Sequence, residues 1–145
     1  MPTRTARTAW KGGLQDGSGQ VELSSSKVGT YEVSFPKRAA DEAGGTTSPE
    51  ELIAAAHSAC YAMQFSALAA EAGGTPESVE VTADVSLGPD PAGGFRLTGI
   101  TLHVRAEVGG LDEAAVLRVA EQAKAGCPVS KALTGVEISL DAAVV

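Results

Sequence analysis

Near the start of the chain, two stretches of strand-like composition, residues 6–14 and 20–26, flank Gln15-Asp16-Gly17-Ser18-Gly19. Strands on either side of so turn-rich a segment predict a β-hairpin. Tyr31-Glu32-Val33-Ser34-Phe35 alternates apolar and polar side chains and predicts a third strand, stopped by Pro36. Residues 36–47, with Lys37, Arg38 and the Gly44-Gly45 pair, are expected to be loop. The pattern then turns helical. Ser48-Pro49-Glu50-Glu51 supplies an N-cap Ser, a Pro at the first helical position and a capping-box Glu51, and the helix must stop at Gly73-Gly74. No Asp, Glu, Lys or Arg interrupts it between positions 52 and 70, and Ala dominates. Such a helix is expected to be buried nearly all round, central in the fold, with Cys60 midway along it.

The second half begins with two long alternating runs, 78–88 and 95–108, around Pro89-Asp90-Pro91-Ala92-Gly93-Gly94, a second hairpin. A second helix is expected over 111–125, opened by Asp112 and Glu113, with Val116 and Leu117 on its apolar side. Gly126-Cys127-Pro128 breaks it. Pro128 suits the first position of a short helix to about position 133, capped by Cys127, and 136–145 reads as a closing strand. The order β-β-β-α-β-β-α-α-β with antiparallel hairpins is α+β, not a doubly wound parallel sheet.

At 145 residues the chain is expected to form a single domain, 1–145. No apolar run is expected to reach the roughly 18 residues that span a bilayer, and Met1-Pro2-Thr3-Arg4-Thr5-Ala6-Arg7 lacks the apolar stretch of a secretion signal. A soluble, cytoplasmic protein without a membrane partner is therefore expected. The net charge of −7 argues against nucleic acid as a partner. Charge is uneven: residues 1–38 carry six basic and three acidic side chains, net +3, which leaves −10 on the remainder. A basic segment on an acidic body suits contact with a second copy, although solvated strand faces explain it equally well.

Two cysteines, Cys60 and Cys127, and two histidines, His57 and His103, would all be needed for a four-ligand zinc site, and nothing groups them apart from His57 and Cys60. Two cysteines in a reducing compartment are commonly buried small hydrophobes, and a structural disulfide is not expected there. The sequence around them changes that picture. Thr47-Ser48-Pro49-Glu50-Glu51-Leu52-Ile53-Ala54-Ala55-Ala56-His57-Ser58-Ala59-Cys60 resembles the cysteine helix of the OsmC/Ohr family, the osmotically inducible and organic-hydroperoxide-resistance proteins. Cys127-Pro128-Val129-Ser130-Lys131-Ala132-Leu133 is similar to that family's second cysteine motif, and His57 favours the OsmC branch. The resemblance implies an OsmC/Ohr-like fold, with antiparallel sheets around the cysteine helix. It also implies an intertwined homodimer with two interface sites and a thiol peroxidase activity that uses no metal, haem or other cofactor.

By that resemblance Cys60 is the nucleophile, Arg38 stabilises its thiolate and Glu50 holds the guanidinium. The chemistry of each residue is suited to this. A free thiol is mostly protonated at neutral pH, and burial raises its pKa, so Cys60 needs a cation and a hydrogen-bond donor. Arg offers a planar fork to sulfur and peroxide oxygen, and a carboxylate pairs with it bidentately. Read without the resemblance, Arg38 is a solvated loop charge and Glu50 a first-turn residue on the helix dipole. Glu50 and Cys60 are ten residues apart, about 15 Å along a straight helix. Either the helix breaks between them, or the site is shared between two subunits.

Cys127 is the expected resolving residue. A Cys60 sulfenic acid would condense with it to a Cys60–Cys127 disulfide, which an external dithiol, in this family a lipoyl protein, would reduce. The expected substrates are organic hydroperoxides, with hydrogen peroxide beside them. His57, three residues before Cys60, leaves a Cys60/His57 thiol hydrolase open, and a redox-sensing module using the same disulfide is a further alternative. Met63, Phe65 and Leu68 line either an apolar pocket or simply the core.

Overall fold

The computed structural model describes residues 1–145, which divide into two compact units, Met1–Leu52 and Ile53–Val145. In the first, β1 (Arg7–Lys11), β2 (Ser18–Glu22) and β3 (Thr30–Val33) form an antiparallel sheet in the order β1-β2-β3. The β1–β2 register pairs Trp10 with Gly19, and the intervening turn is closed by Gly17 N–H to the Gly13 carbonyl (2.9 Å) and Gly13 N–H to Asp16 Oδ1 (2.8 Å). β2 stops at Glu22, short of position 26, because the chain turns back there: Lys27 N–H donates to the Leu23 carbonyl (2.8 Å), with Lys27 itself left-handed at φ 59°.

Pro36 does more than stop β3. Ser34 caps a one-turn helix, α1 (Phe35–Arg38), its hydroxyl accepting from Lys37 N–H at 3.3 Å, and Pro36 sits in the first turn where its missing N–H is harmless. The expected loop therefore begins as a helix, and Ser34-Phe35-Pro36 is its signal. Val21 is the only buried apolar side chain of this unit.

The long helix α2 (Pro49–Glu71) starts and stops where expected. Ser48 Oγ accepts from Glu51 N–H at 3.2 Å. The Glu51 carboxylate takes the Thr47 hydroxyl (2.6 Å) rather than a backbone N–H, so only half the capping box forms. At the other end Gly73 N–H reaches the Ala70 carbonyl and Gly74 N–H the Ala69 carbonyl, each at 3.0 Å, with Gly73 at φ 90°. This is a Schellman stop, which needs glycine for its left-handed residue.

In the second unit, β4 (Thr75–Pro89) and β5 (Phe95–Gly109) form an antiparallel hairpin. β6 (Ile138–Val144) joins β5 in parallel, Ile100 opposite Ile138. The all-antiparallel expectation is corrected here. A parallel neighbour needs a long crossover, and α3 (Glu113–Gly126) with α4 (Pro128–Ala132) provides it. Asp112 Oδ1 caps α3 through Ala115 N–H at 2.8 Å. The inward face of β5, Ile100, Leu102, Val104 and Ala106, packs with Tyr61, Phe65 and Ala69 of α2 and with Val116, Val119, Ala120 and Ala123 of α3. Leu117, expected on the apolar side of α3, is only half-buried.

Within this unit α2 is not buried all round. It buries one stripe at four-residue spacing, His57, Tyr61, Phe65 and Ala69, while Ala55, Ala56, Ala59 and Met63 are exposed. Only one side of the helix meets the sheet and α3, and nothing in the unit covers the other. α2 is also long and apolar enough to span a bilayer by length and composition, contrary to the expectation from the sequence.

Candidate active site

Two clusters of chemistry are assembled, one in each unit. In the first, α1 presents Arg38 and the first turn of α2 presents Glu50. Arg38 Nη2 and Nε donate to Glu50 Oε1 at 2.7 and 3.0 Å, and Nε lies 3.2 Å from Oε2. The Glu50 side chain is largely buried and that of Arg38 about one-third exposed (10% and 33% accessible). A carboxylate removed from water in this way is compensated by the two-pronged, charge-assisted pairing. Only the Nε–Nη2 edge of the guanidinium is used, so its Nη1 edge remains for another acceptor. Arg38 also lies on the wall of an apolar cavity of about 350 Å³, with Trp10, Leu14, Val21, Phe35 and Leu52 among its other lining residues. These lining residues were not legible from sequence spacing, since three strands, a one-turn helix and the start of α2 contribute them.

The second cluster joins Cys60, on α2, to Cys127, the residue that caps α4. Their Sγ atoms are 2.9 Å apart, and both cysteines are free. Cys60 is half-buried; Cys127 is wholly buried. Cys127 is held in place by its own N–H, bonded to the Ala123 carbonyl at 2.9 Å, and by Pro128, which opens α4. Burial pushes the Cys60 thiol up, and its hydrogen bond to Cys127 adds to this, against a smaller opposing effect of the Val129 N–H. Burial acts in the same direction on Cys127. There it is outweighed by hydrogen bonds from Cys60, from the N–H and hydroxyl of Ser130 and from the Val129 N–H, so that Cys127 lies below the ordinary thiol range. Cys60 lacks a cation here.

His57 is fully buried, its Nε2 2.6 Å from Ser130 Oγ and its Nδ1 without a hydrogen-bond partner. Burial lowers its pKa. Neither ring nitrogen is hydrogen-bonded to Cys60, which removes the geometric basis for a Cys60/His57 hydrolase. Ser130, buried on α4, is the partner of this imidazole that sequence reasoning passed over, since 73 positions separate the two. Phe65 is buried in the core and Leu68 packs against it, whereas Met63 is 74% exposed, so these three do not form a pocket together. No group of three or more His, Cys, Asp or Glu side chains is arranged to hold a metal ion.

The chain belongs to the OsmC-like protein family, whose family model matches residues 41–141. It is 43% identical over 132 residues to peroxiredoxin OsmC of Escherichia coli (strain K12), covering 91% of this chain and 90% of that one. It is 34% identical over 146 residues to organic hydroperoxide resistance protein OhrA of Bacillus subtilis (strain 168), covering 99% and 98%. Among solved structures it is similar to an organic hydroperoxide resistance protein OsmC from Legionella pneumophila. That match has a TM-score of 0.80 at 30% identity, over 99% of this chain and 98% of that one.

Proposed function

We propose that this protein is a cytoplasmic cysteine-based peroxidase that reduces organic hydroperoxides, and hydrogen peroxide beside them, to the alcohol or water. The observation that carries the reading is the thiol pair: a half-exposed Cys60 whose Sγ lies 2.9 Å from that of a wholly buried Cys127. A peroxide reaches Cys60 and not Cys127. Cys60 as thiolate attacks the peroxide, the O–O bond breaks, and alcohol leaves with a sulfenic acid on Cys60. Cys127 then displaces hydroxide to form the Cys60–Cys127 disulfide, before a second peroxide can drive Cys60 to the sulfinic acid. An external dithiol, of the dihydrolipoyl kind, returns both thiols by exchange. The names of the E. coli and B. subtilis relatives support a peroxide-related redox role.

Arg38 is the proposed source of the cation that Cys60 lacks, with Glu50 clamping it. α2 is continuous from Pro49 to Glu71, and ten residues of helix rise about 15 Å. A guanidinium held on Glu50 is therefore proposed to serve the Cys60 of a second copy, in a homodimer with two shared sites. The exposed Ala and Met63 face of α2 and the single buried apolar side chain of the first sheet support such a partner. The apolar cavity beside Arg38 suits the alkyl part of an organic hydroperoxide.

Stopped-flow titration of the reduced protein with an alkyl hydroperoxide, with mass spectrometry of the product, tests the reading. One equivalent should be consumed per Cys60, leaving a Cys60–Cys127 disulfide, and a dithiol should restore turnover. A single oxidation without dithiol-dependent turnover would instead mark a redox sensor.

A further inference from the structure

Two side-chain hydrogen bonds join α2 to the segment that opens α4, and they are placed as rungs. One is the thiol pair, Cys60 to Cys127 at 2.9 Å; the other is His57 Nε2 to Ser130 Oγ at 2.6 Å. His57 precedes Cys60 by three residues, while Ser130 follows Cys127 by three. The two stretches therefore pass one another in opposite directions, with the rungs roughly 4.5 Å apart along α2. The rungs differ in access. His57 has no contact with solvent and Ser130 is buried, whereas Cys60 is half-buried.

α4 spans five residues, too few for a helix that is stable by itself, so its seat is set by what anchors it. On the α3 side the anchor is the Cys127 N–H, bonded to the Ala123 carbonyl at 2.9 Å; on the α2 side it is His57. The direction of that second anchor follows from the ring. His57 Nδ1 has no partner, so a proton placed there would be a buried N–H without an acceptor. Burial favours the neutral ring, its one proton therefore sits on Nε2, and Nε2–H donates to Ser130 Oγ. Nδ1 is then a bare lone pair, a cheaper deficit than an orphaned N–H. Removing either partner leaves the other buried and unsatisfied, so the bond is held at both ends.

We propose that His57 and Ser130 are positioning residues that strap α4 to α2 and so keep Cys127 within reach of Cys60, raising the effective concentration of one thiol at the other and favouring the disulfide. The inference deepens the peroxidase reading above, and its kinetic arm rests on that reading. In the resolving step the Cys127 sulfur attacks the sulfur of Cys60–S–OH. The S–S bond forms, the S–O bond breaks, and the hydroxyl leaves with the thiol proton as water. The Cys60 sulfur is reduced and the Cys127 sulfur oxidised. The strap takes no part in these bond changes. It acts before them, because two groups already held together have little freedom left to lose when they react. Without it the α4 segment samples seats in which the sulfurs lie farther apart, and a second peroxide gains time to drive Cys60 to the sulfinic acid.

The test is made in two arms. In the first, the full chain is equilibrated with a dithiothreitol redox buffer without peroxide, and its thiol and disulfide forms are counted by mass spectrometry after alkylation. His57→Phe and Ser130→Ala should each lower the disulfide equilibrium constant about tenfold, which for this two-electron couple raises the potential by about 30 mV. The double variant should go no further than either single one, since the same bond is lost in all three. His57→Gln, which returns a neutral N–H donor, should stay near wild type. A merely structural role would lower Tm and leave the potential where it was. In the second arm, under excess alkyl hydroperoxide, the ratio of disulfide to Cys60 sulfinic acid should fall about tenfold in Ser130→Ala and His57→Phe and hold in His57→Gln. A potential unmoved in Ser130→Ala, or shifted as far in His57→Gln as in His57→Phe, overturns the proposal; Ser130→Ala decides it even where His57→Phe does not fold. If the potentials move as stated but the chain consumes no peroxide, the strap stands and the peroxidase reading falls. Peroxide turnover with unmoved potentials does the reverse.

Discussion

The two cysteines differ in access, Cys60 half-buried and Cys127 wholly buried, and the proposed function divides its tasks along that difference. Cys60→Ser is expected to abolish peroxide consumption. Cys127→Ser should react once per chain and then stall as the sulfenic or sulfinic acid, since no thiol is left to condense. Mass spectrometry of each variant after one equivalent of peroxide reads the outcome, and wild-type turnover in Cys60→Ser would remove Cys60 from the role. Burial raises the Cys60 pKa, so the proposed thiolate makes a further demand: a cation from outside the thiol pair must stabilise it. If that is Arg38, Arg38→Ala raises the Cys60 pKa and slows oxidation. Arg38→Lys restores it only in part, because a point charge cannot hold Glu50 with one edge and sulfur with the other. Alkylation of Cys60 against pH distinguishes these cases. An unchanged titration in Arg38→Ala would pass the role to Lys37 or to helix geometry.

At the level of elements, the outward face of the β4–β5–β6 sheet carries its own ionic cluster. His103 on β5 lies between Asp84 of β4 (Nε2 to Oδ2, 2.9 Å) and Asp141 of β6 (Nδ1 to Oδ2, 3.2 Å), and Arg105 reaches Asp141 at 3.0 Å. Hydrogen bonds to Asp141 and then to Asp84 raise the His103 pKa above its ordinary 6.5. Arg105 first, then His103, hold the Asp141 carboxyl below its usual range. For His103 the folded value exceeds the unfolded one. Its stabilisation is therefore fully present below pH 6.5 and is lost as pH rises through the folded value. For Asp141 the sign is opposite: its contribution is present above 3.8 and is lost as pH falls through the lowered folded value. The Tm difference between wild type and His103→Gln should accordingly be largest near pH 5 to 6 and shrink toward alkaline pH. A difference that is flat or grows above pH 6.5 would show that the cluster does not hold the proton. Exposure keeps the effect modest.

For the whole molecule the central expectation is a dimer with shared sites. The net +3 of residues 1–38 against −10 on the remainder, and, within the second unit, the exposed Ala and Met63 face of α2 and a Cys60 without a cation among the influences on its thiol, are met together if a second copy docks. Arg38→Ala and Cys60→Ser chains, each inactive as a homodimer, should after co-refolding recover one working site per heterodimer, near half the wild-type activity per heterodimer. Sedimentation as an active monomer at micromolar concentration would end the interface reading. A dimer in which the mixture stays inactive would place Arg38 on the Cys60 of its own chain.

Local signals were legible where the physics is local. Ser48-Pro49 and Gly73-Gly74 bracket α2, Asp112 opens α3 and Cys127-Pro128 opens α4, because caps and stops depend on a few neighbouring backbone groups. The same kind of signal at Ser34-Phe35-Pro36 marks α1, hidden behind an alternating run that reads equally well as strand. The Cys60 and Cys127 motifs were recognisable one by one. What spacing cannot give is pairing. The parallel seat of β6, the side of α2 that is buried, and the contact of His57 with Ser130 across 73 positions all follow from how elements meet. An Ala-rich helix is compatible with cover on one face or on all, since Ala is neither driven strongly inward nor costly to expose. Sequence by itself thus determined most of the elements, with their caps and stops, and the family. Only tertiary structure decided which sulfur is partly open to solvent and which is wholly buried, because burial belongs to neighbours in space.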